Sequence, residues 1–243
     1  ESIDFKHVWF SYDNNDVYAL KDFTLSIKAG EFIGIVGPSG SGKSTLLSLL
    51  MGLYKPTKGA IYINGIDIAN YDSSVLRHLM GYVFQQAYLF KGSIKDNLTL
   101  FDTSISYDDM VAAAKQVNLD SMIEQLPEGY HTPVGYLGSL LSDGQKQLLA
   151  FGRTLIRNTP ILLLDEATAN IDSHTEKQIQ ASIENIRGSK TIVSIAHRLS
   201  TVQDANKIVY MEYGKIIEKG SFEELINSKG AFYNLWSNQQ SGS

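Results

Sequence analysis

The apolar residues of this 243-residue chain fall into short runs of two kinds. In Phe23 to Lys28, the residues Phe23, Leu25 and Ile27 alternate with Thr24, Ser26 and Lys28, the pattern of a strand in a sheet with one wet face. Ile3 to Phe10 reads as a strand as well, and Ala60-Ile61-Tyr62-Ile63 followed by Asn64-Gly65 reads as a strand and a turn. Phe32-Ile33-Gly34-Ile35-Val36 and Ile161-Leu162-Leu163-Leu164 are unbroken apolar runs, which predict buried strands. Gly81–Phe84, Thr191–Ile195, Ile208–Met211 and Lys215–Glu218 add further short strands, and Ser44 to Leu50 reads as a helix.

Between about Ser93 and Arg157 the period changes. Tyr107–Val117, Asp120–Gln125 and Asp143–Ile156 read as helices, with Pro127, Gly129, Pro133, Gly135 and Gly138 breaking the run between them. Ser173–Ile186 is a further helix, with Ser173 as its expected N-cap. Strands alternating with helices predict an α/β fold around a parallel sheet, and the early strands predict an antiparallel β subdomain. The expected organisation is one domain over 1–243. Residues 1–92 and 158–243 form its core, and 93–157 form a helical insert.

Composition narrows the chemistry. A hydrophobic fraction of 43% and a charged fraction of 19% suit a folded globular chain. The net charge of −5, with no clustered basic stripe, gives no attraction to nucleic acid. Without cysteine, disulfides, thiolate metal sites and Cys nucleophiles are excluded. No pair among His7, His78, His131, His174 and His197 has zinc-ligand spacing. No apolar run approaches the roughly 18 residues of a membrane span, and no signal peptide is visible. The chain starts at Glu1 without Met and ends in Ser-Gly-Ser, so it is expected to be a piece of a longer protein.

The stretch that joins the Phe32–Val36 strand to the following helix is Gly37-Pro38-Ser39-Gly40-Ser41-Gly42-Lys43-Ser44, which matches the phosphate-cradling P-loop G-x-x-x-x-G-K-[ST]. Glycines let backbone N–H groups converge on phosphate oxygens, and the helix N-terminus adds a positive dipole. Lys43 can reach the terminal phosphates and the Ser44 hydroxyl can bind Mg²⁺; Thr45 completes the candidate contacts. Ile161 to Leu164 ends in Asp165-Glu166, a Walker B pattern: Asp165 for Mg²⁺ and Glu166 to orient or deprotonate water. Leu141-Ser142-Asp143-Gly144-Gln145 opens a long helix. Ser142 is a natural N-cap, Gly144 allows close backbone approach, and a second phosphate-facing helix end is the functional reading.

With these residues in view, the chain resembles the nucleotide-binding domain of the ATP-binding cassette (ABC) family from Ile3 to about Trp236. Leu141–Gln145, about 20 residues before Asp165, is similar to the family's LSGGQ signature. Gln85 resembles the Q-loop glutamine, Ala169-Asn170-Ile171-Asp172 the D-loop, and His197 the switch histidine. Tyr12 stands where the family has an adenine-stacking aromatic. The resemblance implies a P-loop NTPase core with an antiparallel β subdomain and a helical subdomain. It implies ATP and Mg²⁺ as ligands. It also implies a head-to-tail dimer, homo- or heterodimeric, in which Lys43 and Ser44 hold ATP from one side and Ser142, Gly144 and Gln145 of the partner cover it. Glu166 would polarise water, His197 would contact the γ-phosphate, and Gln85 would touch Mg²⁺ or water. The implied setting is the cytoplasmic face of a membrane, as the soluble domain of an exporter whose transmembrane domain is fused upstream.

Two departures stand out. Asp143 replaces the first glycine of the signature. A carboxylate ~8 Å from a phosphate at an effective dielectric of ~20 opposes binding by about 2 kcal/mol per unit charge; turned outward it favours the helix end by roughly 0.3–1 kcal/mol. The outward orientation is expected. Thr132-Pro133-Val134-Gly135-Tyr136-Leu137-Gly138 resembles the exporter X-loop, with Tyr136 and Leu137 in place of Glu and Arg. The rival readings are a soluble ABC ATPase acting on ribosomes or DNA, the ATPase subunit of an importer, and a module that holds ATP without turnover.

Overall fold

The computed structural model describes residues 1–13, 16–166 and 171–241. In chain order the strands are β1 (Ile3–Phe10), β2 (Leu20–Ile27), β3 (Phe32–Val36), β4 (Lys58–Ile63), β5 (Ile66–Asp67), β6 (Met80–Val83), β7 (Ile161–Asp165), β8 (Thr191–Ile195), β9 (Lys207–Glu212) and β10 (Lys215–Gly220). The helices are α1 (Lys43–Leu50), α2 (Ser73–Leu79), α3 (Ile94–Thr99), α4 (Tyr107–Gln116), α5 (Asp120–Glu124), α6 (Asp143–Ile156), α7 (Ser173–Ile186), α8 (Phe222–Ser228) and α9 (Ala231–Ser241). They divide into two compact units: Glu1–Met80 with Pro160–Glu166 and Arg187–Ser243, and Gly81–Thr159 with Ala167–Ile186.

The first unit holds both kinds of strand. β2-β1-β4-β5 form an antiparallel sheet, with Ile3 opposite Ile27 and Ile63, and Phe5 opposite Leu25 and Ile61. Alternation along β1 breaks at Lys6-His7, both exposed, and resumes with Val8 buried. The cause is a bulge: His7 has φ 49°, and the β1–β2 register shifts between Phe5 and Val8. β2 covers Leu20–Ile27 where Phe23–Lys28 was expected. Leu20 pairs with Phe10, and Lys28 instead enters a turn closed by the Glu31 N–H donating to its carbonyl at 3.1 Å.

The unbroken apolar runs become the parallel sheet, ordered β10-β9-β3-β8-β7 within this unit. Every residue of β3 and β8 is buried, as strands covered on both faces require. β3 pairs in parallel with β8 and β9, and β7 with β8. α1 closes one face with Leu46, Leu47, Leu49 and Leu50. Chain neighbours are thus not sheet neighbours, and the ends of β3, β7 and β8 come to one edge.

The second unit is built on α6, which buries Leu148, Leu149, Phe151 and Leu155. It contains the whole stretch expected to be helical, 93–157, and also takes in residues 81–92, 158–159 and α7. α7 joins α6 through Gly144, where an added Cβ would stand 2.6 Å from Thr175 Oγ1. The N-cap of α7 is Asp172, not Ser173: its carboxylate accepts from the N–H groups of His174 and Thr175, both at 3.0 Å. Four described helices, α2, α3, α8 and α9, are additional to those read individually from the sequence. The short α3 is held by a Ser93–Asp96 capping box and by buried Asn97, whose side chain bonds Phe90 and Ser93.

Candidate functional site

The P-loop wraps from β3 into the start of α1. Gly37 has φ 147° and Gly42 φ 100°; a Cβ would meet Met211 O at 2.1 Å and Ala19 O at 2.5 Å. The loop therefore lies flat on the backbone beneath it, a path open only to glycine. Pro38, Ser39 and Gly40 form its exposed rim, and Ser41 is buried. Lys43 is buried in the first turn of α1, its Nζ donating to the carbonyls of Gly37 at 2.8 Å and Pro38 at 2.9 Å. Burial lowers its pKa, opposed by the charges of Glu166 and Asp165. Gly42 leaves α1 without a side-chain cap, so its first N–H groups point outward beside that cation.

The tertiary fold gathers most of the sequence-predicted residues here. A cleft of 280 Å³ is lined by Tyr12, Gly40, Lys43, Thr45, Glu166 and His197 among others. Glu166 follows β7 with φ 49°, a left-handed backbone rare outside glycine, and its N–H donates to Ile195 O at 3.0 Å. That turn brings its Oε1 to 2.5 Å from His197 Nε2, with the carboxylate 13% and the imidazole 51% exposed. Asp165 ends β7 in the same group. The Tyr12 hydroxyl lies 2.9 Å from Thr45 Oγ1, while its ring meets Phe10 and Tyr54 edge-on and stays half exposed.

Gln85, Ser142, Gly144 and Gln145 belong to the second unit. Gln85 is exposed. Ser142 Oγ accepts from the Gln145 N–H at 3.2 Å while Gln145 Oε1 accepts from the Ser142 N–H at 2.9 Å, a complete capping box. The glycine at 144 thus has a packing reason, its closeness to Thr175, besides any ligand. Asp143 points outward, 78% exposed and 3.0 Å from Lys146 Nζ. Tyr136 is exposed. Of the D-loop, Ala169 and Asn170 lie outside the described residues.

The donor set fits a nucleotide with Mg²⁺. Among the described residues no three His, Cys, Asp or Glu side chains cluster as an all-protein metal cage. Mg²⁺ needs none: one or two oxygen ligands such as Ser44 and Asp165, with phosphate oxygens and water, suffice. Sequence reading missed Gln239, whose side chain bonds the backbone on both sides of Arg198. It sits in the polar run Asn238-Gln239-Gln240, which carries no signal.

A buried lysine in a glycine loop at a helix start, beside an acidic strand end on a parallel sheet, defines a P-loop NTPase. The family model described as ABC transporter matches residues 20–169, and the chain belongs to that family. The chain is 44% identical over 238 residues to the ABC transporter ATP-binding protein exp8 of Streptococcus pneumoniae, covering 98% of this chain and 40% of that protein. It is 44% identical over 234 residues to the toxin RTX-III translocation ATP-binding protein of Actinobacillus pleuropneumoniae, covering 96% and 33%. A solved structure of a bacterial Atm1-family ABC exporter with ATP bound superposes with a TM-score of 0.91 at 40% identity, covering 98% of this chain and 41% of that one. The chain thus spans between a third and about two fifths of these relatives. It is an ATPase domain of the ABC family.

Proposed function

We propose that this domain hydrolyses ATP with Mg²⁺ in a site completed by a second nucleotide-binding domain, and that this turnover drives export by a longer protein. The observation that carries the reading is the Glu166–His197 pair, 2.5 Å apart, on the same cleft as Lys43. The P-loop amides from Gly37 to Gly42, with Lys43, Ser44 and Thr45, hold the phosphates; Tyr12 offers its ring to the base. Mg²⁺ held by Ser44 and Asp165 would neutralise phosphate charge. Gln85 is assigned to the ion or the attacking water on the family pattern alone.

Glu166 takes the proton from water, and His197 holds that carboxylate while its exposed ring edge reaches the γ-phosphate. The first unit leaves one side of the cleft to solvent. Ser142 of a facing domain still has a hydroxyl proton to donate, because its oxygen is the acceptor in its own cap. Gly144 and Gln145 present the same helix end. A homodimer and a heterodimer are both compatible with this arrangement.

Among the described residues no helix is long and apolar enough to cross a membrane, so the span would be supplied by a transmembrane domain, with this domain at the cytoplasmic face. The relatives named for toxin translocation and export support that setting over ribosome- or DNA-directed ATPases and importers. Glu166→Gln tests the reading: ATP binding persists, turnover falls ~100-fold or more, and an ATP-trapped dimer elutes early from a sizing column. Undiminished phosphate release would remove Glu166 from the role of base.

A further inference from the structure

The switch loop carrying His197 is held from two sides. Inside, the buried side chain of Val202 presses on Gly34 of β3, where a Cβ would meet Val202 Cβ at 2.6 Å. Outside, the Gln239 side chain makes a two-point contact with the loop backbone: its Nε2 donates to His197 O at 2.6 Å, and its Oε1 accepts from the Leu199 N–H at 3.2 Å. One planar amide thus ties the residues on both sides of Arg198, which limits rotation of the peptide that aims the imidazole.

Gln239 is delivered by a firmly seated arm. The Glu218 carboxylate accepts from the N–H groups of Ala231 at 2.6 Å and Phe232 at 3.1 Å, capping the start of α9 with negative charge. Phe232 is fully buried and meets Phe222 edge-on at 5.9 Å; Trp236 meets Phe222 at 6.3 Å. Phe222 and Trp236 also wall a 620 Å³ cleft that runs along α9 to His197. The cap and the aromatic cluster fix the helix, and the helix fixes the amide.

We infer that Gln239 is a positioning residue for ATP hydrolysis: through the backbone of His197 and Leu199 it sets the imidazole against Glu166, so that α9 governs turnover without touching nucleotide. The inference rests on the proposed role of His197. It separates transition-state geometry from ground-state binding, because the P-loop and Tyr12 hold the nucleotide independently of α9.

The test is steady-state ATPase kinetics on the full-length protein. Gln239→Met keeps the chain length and removes both hydrogen bonds. Two net hydrogen bonds of this kind amount to about a tenfold fall in kcat, with KM for ATP within about twofold. Gln239→Glu carries no packing change; it keeps the acceptor, loses the donor and sets a carboxylate oxygen against the His197 carbonyl, so kcat falls there too at unchanged KM. Unchanged kcat in both folded variants, or a rise in KM that accounts for the loss, overturns the proposal. His197→Ala run alongside separates the two readings. If that variant keeps full turnover, the role given to His197 is wrong; if it loses turnover while both Gln239 variants keep theirs, only the clamp is wrong.

Discussion

Helices α1 and α6 both begin at a segment containing serine and glycine, yet their N-termini are built in opposite ways. α1 starts after Gly42 with no side-chain cap and no acid in its first turn, and a buried lysine stands there. α6 starts after Ser142 with a complete capping box and Asp143 in its first turn. The difference teaches what each end is for. An uncapped helix end beside a buried ammonium favours an anion, which suits the phosphate role proposed for α1. An end whose N–H groups are met by its own side chains holds shape alone, and it can approach a phosphate from outside as a finished surface.

Four variants break or sharpen this contrast. Lys43→Ala should act most strongly, because the ammonium's charge-assisted hydrogen bonds have no substitute; loss of one or two of them raises the ATP dissociation constant by ~100-fold or more. An unchanged constant by calorimetry would take α1 out of phosphate binding. Gly144→Ala forces a Cβ to within 2.6 Å of Thr175 Oγ1. Overpacking of this kind costs about 1–3 kcal/mol, read as a fall in the denaturant midpoint and relieved by Thr175→Ala; an unshifted midpoint would mean that α6 and α7 are not tightly opposed.

Ser142→Ala removes the cap and should lower stability by about 1 kcal/mol. It should also slow ATP hydrolysis of the dimer while leaving ATP binding to the isolated domain intact, and weakened monomer binding would contradict a role from the facing side. Asp143→Asn should matter least. Its pair with Lys146 is exposed, so stability moves by no more than ~0.5 kcal/mol in a thermal melt. A large rise in ATP affinity on this change would show that the carboxylate faces the nucleotide after all.

What was legible in the sequence follows distance along the chain. The P-loop and the Walker B strand read clearly because their chemistry sits in consecutive residues whose local pattern also sets their shape. Ser142 as a cap was readable for the same reason: a cap and its partner are three residues apart. The start of β2 was misplaced because Leu20 is recruited by pairing with Phe10 rather than by its own surroundings. Ser173 lost the cap of α7 to its neighbour Asp172, whose carboxylate reaches two backbone N–H groups. Gly144 was read as allowing close backbone approach to a ligand, and contact with Thr175 adds a reason internal to the fold that the sequence does not show.

Sequence alone therefore determined the phosphate loop, the acidic strand end, the apolar strands and the helical stretch, because each is encoded in residues a few positions apart. The tertiary structure decided that Glu166 meets His197, that Tyr12 bonds Thr45, and that Gln239 grips the switch loop. Those pairings join residues tens of positions apart, and their geometry depends on which strands become neighbours in the sheet. Short-range periodicity carries no record of that choice; long-range packing sets it.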